Sequence, residues 1–271
     1  MSAIEAIVLG LVQGLTEFLP ISSSGHLRIV PALLGWEDPG TGFTAVIQLG
    51  TMAAVLIYFR ADLWRIARAW LSELRTPIPQ ASADARLGWF ILLGTIPISI
   101  FGLIFSNQIE SGARDLYLIG SALILFSFVM LLAEHLGTQL RRLTEMKGRD
   151  GVFIGFAQAL ALIPGVSRSG ATISAGLLRG FDRLAAARYS FLLSVPAVVL
   201  SGLFELRKIG GEGNAPVGAT VIATIVAFGA GYVSIAWLLR YLTTHSLRGF
   251  VIYRILLGTL VLVLTAAGAI S

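Results

Sequence analysis

Long uncharged apolar runs constrain this chain more than any other feature. Residues 87–106, 116–133, 215–239 and 255–271 contain no Asp, Glu, Lys or Arg, and each is close to the roughly 20 residues that cross a bilayer core. A soluble chain of 271 residues could bury a large core, but it would need polar surface to cover it. Charged residues make up only 13% here, about half the usual share of a soluble domain, and they are gathered between the runs. The expectation is a polytopic membrane protein. A net charge of +5 is compatible with nucleic-acid binding, but the Arg residues sit between spans and form no basic face, so no nucleic-acid partner is expected. With no cysteine, disulfides and thiolate metal sites are excluded. The first Arg is Arg28 and no basic region precedes it, so no cleaved signal peptide is expected.

Charge sidedness gives the expected topology. After a span at 43–59 come Arg60, Arg65, Arg68, Arg75 and Arg86; after 106 only Arg114; after 133, Arg141, Arg142, Lys147 and Arg149. The positive-inside rule puts the two rich loops in the cytoplasm and Arg114 outside. Residues 151–178 are apolar but broken by Pro164-Gly165, and Arg179, Arg183 and Arg188 follow. Both ends of that segment are thus cytoplasmic and it is expected to be re-entrant. Spans at 189–204, 217–239 and 250–270 place Arg207 and Lys208 outside, Arg240 and Arg248 inside and the C-terminus outside. Running backwards, residues 36–42 are external, so the broken segment 4–34 enters and leaves from outside.

The two broken segments match at an offset of 145: Gly10-Leu-Val-Gln13-Gly-Leu15 on Gly155-Phe-Ala-Gln158-Ala-Leu160, and Ser22, Ser24 and Gly25 on Ser167, Ser169 and Gly170. The fold class expected is an all-α membrane helix bundle in a single domain, 1–271. It would hold two inverted-topology repeats, about 1–136 and 150–271, each with a broken re-entrant helix pair, and such helices meet near the midplane to form a site.

Both breaks are polar. Gln13 and Glu17 are four apart and share a helix face; Pro20 ends the helix, and Ser22-Ser23-Ser24-Gly25-His26 follows. Hydroxyls and backbone N–H groups before a second half-helix make an anion site in outline. The second break, Pro164-Gly165-Val166-Ser167-Arg168-Ser169-Gly170-Ala171-Thr172, repeats the plan and adds a guanidinium, whose fork grips phosphate oxygens. Ionisable groups in apolar segments cost about 2.5–3.5 kcal/mol each on insertion scales and are usually paired or functional. Glu17, His26 and Arg168 are therefore candidates, with Glu17 alternatively a buried partner for Arg168. His135 and His245 read as interfacial; Trp36, Trp64, Trp89 and Trp237 read as headgroup anchors. Gln48 is divided between helix packing and site lining, and Arg28 between the rim and the site.

The stretch Gln13-Gly-Leu-Thr-Glu17-Phe-Leu-Pro-Ile-Ser-Ser-Ser-Gly-His26, with Pro164-Gly-Val-Ser-Arg168-Ser-Gly-Ala-Thr172, resembles the undecaprenyl-diphosphate phosphatase family, the membrane enzymes associated with bacitracin resistance. The resemblance covers the whole chain. It implies removal of the terminal phosphate of a polyprenyl diphosphate lipid in the bacterial plasma membrane, in a site open to the periplasmic or external side, with a divalent cation, Mg2+ or Ca2+. Where some members carry a first acidic residue this chain has Gln13, which leaves Glu17 as the anionic metal ligand and Gln13 as a neutral candidate. Carried onto this sequence, the catalytic set is Glu17, Ser23, His26 and Arg168, and the phosphate-binding set is Ser22, Ser24, Gly25, Ser167, Arg168, Ser169 and Thr172. Ser23, activated by His26 or Glu17, is the favoured nucleophile; His26 itself and an activated water are the alternatives.

Two other families share parts of this pattern. The type-2 phosphatidic acid phosphatases also have Ser-Gly-His and Ser-Arg elements but need a Lys-rich first motif, and Lys occurs here only at 147 and 208. A polyprenyl-phosphate transporter or flippase would use the same midplane architecture. Membrane lipids are partners under either reading, and small-residue faces such as Gly229 and Gly231 would permit a homodimer.

Overall fold

The computed structural model describes residues 1–112, 114–205 and 216–271, and among these it is helical, with no strand. Arg207 and Lys208 lie outside the described residues. Six helices are long and apolar enough to cross a membrane: α3 (Gly40–Tyr58), α5 (Ala83–Ile104), α7 (Leu116–Leu136), α10 (Arg183–Glu205), α11 (Val217–Tyr241) and α12 (Arg248–Ala266). They fall on the six spans read from the sequence, α10 starting six residues earlier than expected. Four shorter helices fill the two broken segments: α1 (Ala3–Phe18) and α2 (Ser23–Leu34), then α8 (Gly148–Ala159) and α9 (Arg168–Leu178). The longest of them, at 16 residues, rises only about 24 Å and falls short of the bilayer core. A short helix α6 (Ser106–Gly112) follows α5, and α4 (Arg60–Ser72) occupies the first half of the segment read as a basic loop. That is a correction: α4 exposes Trp64 and Leu71 beside Arg60, Arg65 and Arg68, the pattern of a helix lying along the interface.

Charged residues collect on two rims. On one, Arg28 bonds the carbonyls of Arg114 (3.1 Å) and Ser271 (2.6 Å), and both Arg28 and Arg114 pair with Asp38. Asp38, Arg114 and Ser271 are residues expected on one face from charge sidedness, and Arg28, left open between rim and site, joins them here. On the other, Arg183 pairs with Glu134, Arg188 with Asp62 (2.8 Å), Arg65 with Asp84 (2.9 Å), and Arg141 and Arg179 with Asp150 (2.7 Å each). Glu134 also accepts from the Leu247 N–H, so this one carboxylate joins α7, α10 and the start of α12.

Helix packing is reciprocal between the halves. α1 lies against α11, and α8 lies against α5. The first contact is possible because α1 has no side chain at Gly10 and Gly14: a Cβ on Gly14 would stand 2.5 Å from the Ala230 Cβ. Such close backbone approach through small residues is how helices associate in lipid, where there is no hydrophobic drive. Gly231 is used in the same way, facing Phe18 and Thr51 within the chain, whereas Gly229 has open space where a Cβ would stand. α7 and α12, the last helices of each half, pack together where Gly258 meets the Gly120 carbonyl.

Candidate functional site

Each break is built the same way. Leu19 and Ile163, the residues before Pro20 and Pro164, are extended, as the proline ring requires of its predecessor. The chain then reverses through Ser22 (φ 74°) and Ser167 (φ 76°), two of only three non-glycine residues with positive φ among those described. That conformation is uncommon for a residue with a Cβ and costs about 1–3 kcal/mol. Each serine is compensated as an N-cap: Ser22 Oγ accepts from Gly25 N at 3.4 Å, and Ser167 Oγ from Gly170 N at 3.1 Å. Side-chain caps of this kind satisfy one of the open N–H groups of the following helix. The hydroxyls two residues on, Ser24 and Ser169, lie 3.3 and 3.1 Å from the capping ones. The sequence match at offset 145 thus extends to backbone geometry and hydrogen bonding.

The halves differ where the chemistry lies. At the offset that superposes the turns, Glu17 corresponds to Leu162 and Ser23 to Arg168, so one half carries a carboxylate and hydroxyl and the other a guanidinium. They meet. Arg168 Nη2 donates to Glu17 Oε1 at 2.6 Å, Ser23 Oγ donates to Oε2 at 2.6 Å, and Gln13 Nε2 donates to Oε2 at 3.1 Å. Gln13 is itself held by Thr51 at 3.3 Å, and Thr51 by the Gln48 carbonyl at 2.8 Å. Glu17, Ser23, Ser24, Arg168 and Gln48 face a polar cavity of about 210 Å³. A hydroxyl hydrogen-bonded to a carboxylate that is oriented by further groups is the arrangement of an activated nucleophile.

Other residues named from the sequence stand elsewhere. Of the phosphate-binding set, Ser22 and Ser167 reach the cavity wall, but Gly25, Ser169 and Thr172 do not. Ser169 Oγ donates to the Leu19 carbonyl at 2.9 Å and ties one turn to the other. Thr172 lies a turn inside α9, where its hydroxyl bonds the Arg168 carbonyl at 2.8 Å and Ser190 at 2.6 Å. His26 is buried behind the turn: Nδ1 lies 2.7 Å from the Ser22 carbonyl and Nε2 2.7 Å from the Tyr253 hydroxyl. A carbonyl only accepts, so Nδ1 carries the proton and Nε2 accepts from Tyr253. Both ring nitrogens are engaged, and the pairing of His26 with Ser23 is not the arrangement found.

Two groups escaped the sequence reading. Tyr253 is one, and the other is Arg254, whose side chain is fully buried. The signal is present in the sequence, since Arg254 is a lone cation in the apolar stretch 249–271.

A divalent cation can be tested against the donors present. No cluster of three or more Asp, Glu or His exists among the described residues, so an all-protein cage is not built here. Glu17, with the Ser23, Ser24 and Gln48 side chains around it, fits an ion of the Mg2+ type, which binds through one or two carboxylates together with substrate phosphates.

The family model described as bacitracin resistance protein BacA matches residues 6–260. The chain belongs to this family. A protein named undecaprenyl-diphosphatase from Nocardioides sp. is 55% identical over 269 residues, spanning 99% of this chain and 98% of that protein. Others of the same name, from Thermobifida fusca and Mycolicibacterium smegmatis, are 53% and 52% identical and span all of this chain and 93% and 99% of their own lengths. The residues matched by the family model include both breaks and all of the helical frame except its two ends.

Proposed function

We propose that this chain hydrolyses undecaprenyl diphosphate to undecaprenyl phosphate and inorganic phosphate in the bacterial plasma membrane, renewing a lipid carrier for cell-wall synthesis, and that its polar cavity opens to the external side. The observation that carries the chemistry is the 2.6 Å hydrogen bond from Ser23 Oγ to Glu17, whose other oxygen is held by Arg168. A lipid diphosphate needs a polar end and an apolar end, and both are at hand. An apolar groove of about 810 Å³, walled by Phe101, Phe105, Phe153, Phe156 and Leu162, adjoins the polar cavity, with Leu162 lining both. The prenyl chain would lie in the groove and its diphosphate against Arg168, Ser24 and the turn amides.

In this reading Ser23 Oγ attacks the terminal phosphorus while Glu17 takes its proton. The bond to the bridging oxygen breaks, and undecaprenyl phosphate leaves with that oxygen. Water then attacks the phosphorus of the phosphoserine, its bond to Ser23 Oγ breaks, Glu17 returns the proton to that oxygen, and phosphate departs as dihydrogen phosphate carrying both protons of the water. Arg168 exchanges the carboxylate for the phosphoryl oxygens and stabilises the charge that builds on them. A cation bound at Glu17 would neutralise part of the diphosphate charge. His26 holds the turn through its bonds to Ser22 and Tyr253.

Purified protein in detergent, given undecaprenyl diphosphate and Mg2+, should release phosphate. A transporter needs a sealed membrane and would release none, and an absence of release under these conditions would overturn the hydrolytic reading.

A further inference from the structure

Arg254 has no carboxylate partner among the described residues, yet its side chain is fully buried. An uncompensated guanidinium in a membrane core is costly, so its hydrogen bonds must account for it. Nη1 donates to the Pro20 carbonyl at 3.2 Å, and Nη2 donates to the Gly165 carbonyl at 3.0 Å. Nε donates to Ser127 Oγ at 3.1 Å, and Nη2 also reaches the Ala122 carbonyl at 3.5 Å. Ser127 and Ala122 belong to α7, which closes on α12 one turn away, where Gly258 meets Gly120. Pro20 and Gly165 are the corners of the two breaks. Their carbonyls lie in irregular backbone, away from water, where an unsatisfied acceptor costs several kcal/mol.

We infer that Arg254 is a positioning residue whose single planar guanidinium fixes the two broken-helix turns to each other, and so sets the separation of Ser23 and Glu17 on one turn from Arg168 on the other. It does not line the polar cavity and touches no reacting group. The fork geometry is essential: two carbonyls from different turns are reached by two nitrogens whose spacing is fixed by the guanidinium plane. Its neighbour Tyr253 bonds His26 at 2.7 Å, so consecutive residues of α12 hold the first turn from both ends. The inference rests on the hydrolytic reading only for its kinetic consequence; the tie itself is independent of what the site does.

The test uses the full chain in detergent with Arg254→Met and Arg254→Lys. Each is assayed for phosphate release and for backbone hydrogen exchange. A misplacement near 1 Å can cost about 100-fold in rate, so kcat should fall by about that factor in both variants. KM should stay within about two-fold, because the groove and cavity walls are unchanged. Exchange should rise together in peptides covering 19–25 and 163–170 while that of α5 and α10 stays as in wild type. Arg254→Lys keeps the charge on a single nitrogen; wild-type turnover in that variant would show that charge suffices and overturn the tie. Exchange rising uniformly through all helices, in either variant that folds, would make Arg254 a general stabiliser and overturn it equally. Unchanged exchange at both turns would do the same. If the wild-type protein itself released no phosphate, the hydrolytic reading would fail while the exchange result still decided the tie.

Discussion

Glu17 is the residue on which the two halves of the site converge, since its two oxygens receive Arg168 from one break and Ser23 from the other. Removing its charge leaves Ser23 without a base and Arg168 without a partner. Glu17→Gln and Ser23→Ala should each lower phosphate release by orders of magnitude, and the double variant should be little worse than the more damaged single one, because residues acting as a unit are non-additive. Multiplied losses would show that the two act separately. Arg168→Lys should be nearly as damaging as Arg168→Ala, since an ammonium keeps the charge and loses the bidentate fork; near-wild-type turnover in the Lys variant would remove Arg168 from phosphate binding. Asp150, at the cytoplasm-assigned rim, serves stability. Burial pushes its carboxyl up, but hydrogen bonds from Arg141, Arg179 and the Lys147 N–H outweigh that and hold it below its ordinary value. A carboxyl lowered in this way stabilises fully above its unfolded value near pH 4 and loses that contribution as pH falls through the lower folded value. Asp150→Asn should therefore cost about 3–5 kcal/mol at neutral pH, read as a fall in melting temperature. The gap to wild type should narrow only below about pH 4.

At the scale of elements, the breaks work because rigid neighbours hold them. α1 reaches Glu17 one turn after Gly14, and Gly14 is pressed on α11 so closely that any Cβ meets Ala230 and the Ala227 carbonyl at 2.5 and 2.7 Å. Gly14→Val should push α1 off α11, cost about 1–3 kcal/mol through overpacking and carry Glu17 away from Arg168. Both the melting temperature and kcat should fall. A stable variant with normal turnover would mean that α1 is not the element that places the carboxylate. In the second half the position of Gly14 is taken by Ala159, and the close contact is made one turn earlier by Gly155, the counterpart of Gly10, on Gly94 of α5; the residue that stands at the place of Glu17 there is Leu162, part of the apolar wall.

For the whole molecule, we propose that the two halves, about 1–136 and 150–271, are inverted repeats that exchange their first helices. The reciprocal packing of α1 on α11 and α8 on α5 supports this. The orientation we propose rests on charge: Arg65, Arg141, Arg179 and Arg183 share one rim, whereas Arg28 and Arg114 share the other. The chain has no cysteine of its own, so single cysteines report cleanly. Cysteines at Arg75 and Gln139 should label only from the cytoplasm, and ones at Glu37 and Gly268 only from outside. The reverse pattern would invert the topology and turn the first break toward the cytoplasm.

Sequence alone determined the membrane class, the six spans and the two polar breaks, and it brought forward Glu17, Ser23 and Arg168, which the fold then places in hydrogen-bond contact. These are local properties: the length of an apolar run, a proline that stops a helix, and the cost of placing a charge in an uncharged stretch. The match at offset 145 was legible as well, and Ser22 and Ser167, which it pairs, do the same capping work at the same positive φ. Tertiary structure decided everything that depends on which side of a turn a side chain faces. His26 lies one turn from Ser23 in sequence but points away, to Tyr253, 227 residues further along. Thr172 and Ser169 have the right chemistry for phosphate yet spend their hydrogen bonds on backbone and on Ser190. Arg254 shows the limit most clearly. Its four acceptors come from residues 20, 122, 127 and 165. No local pattern encodes that convergence, because the energy that allows a charge there exists only once both breaks and α7 have closed around it.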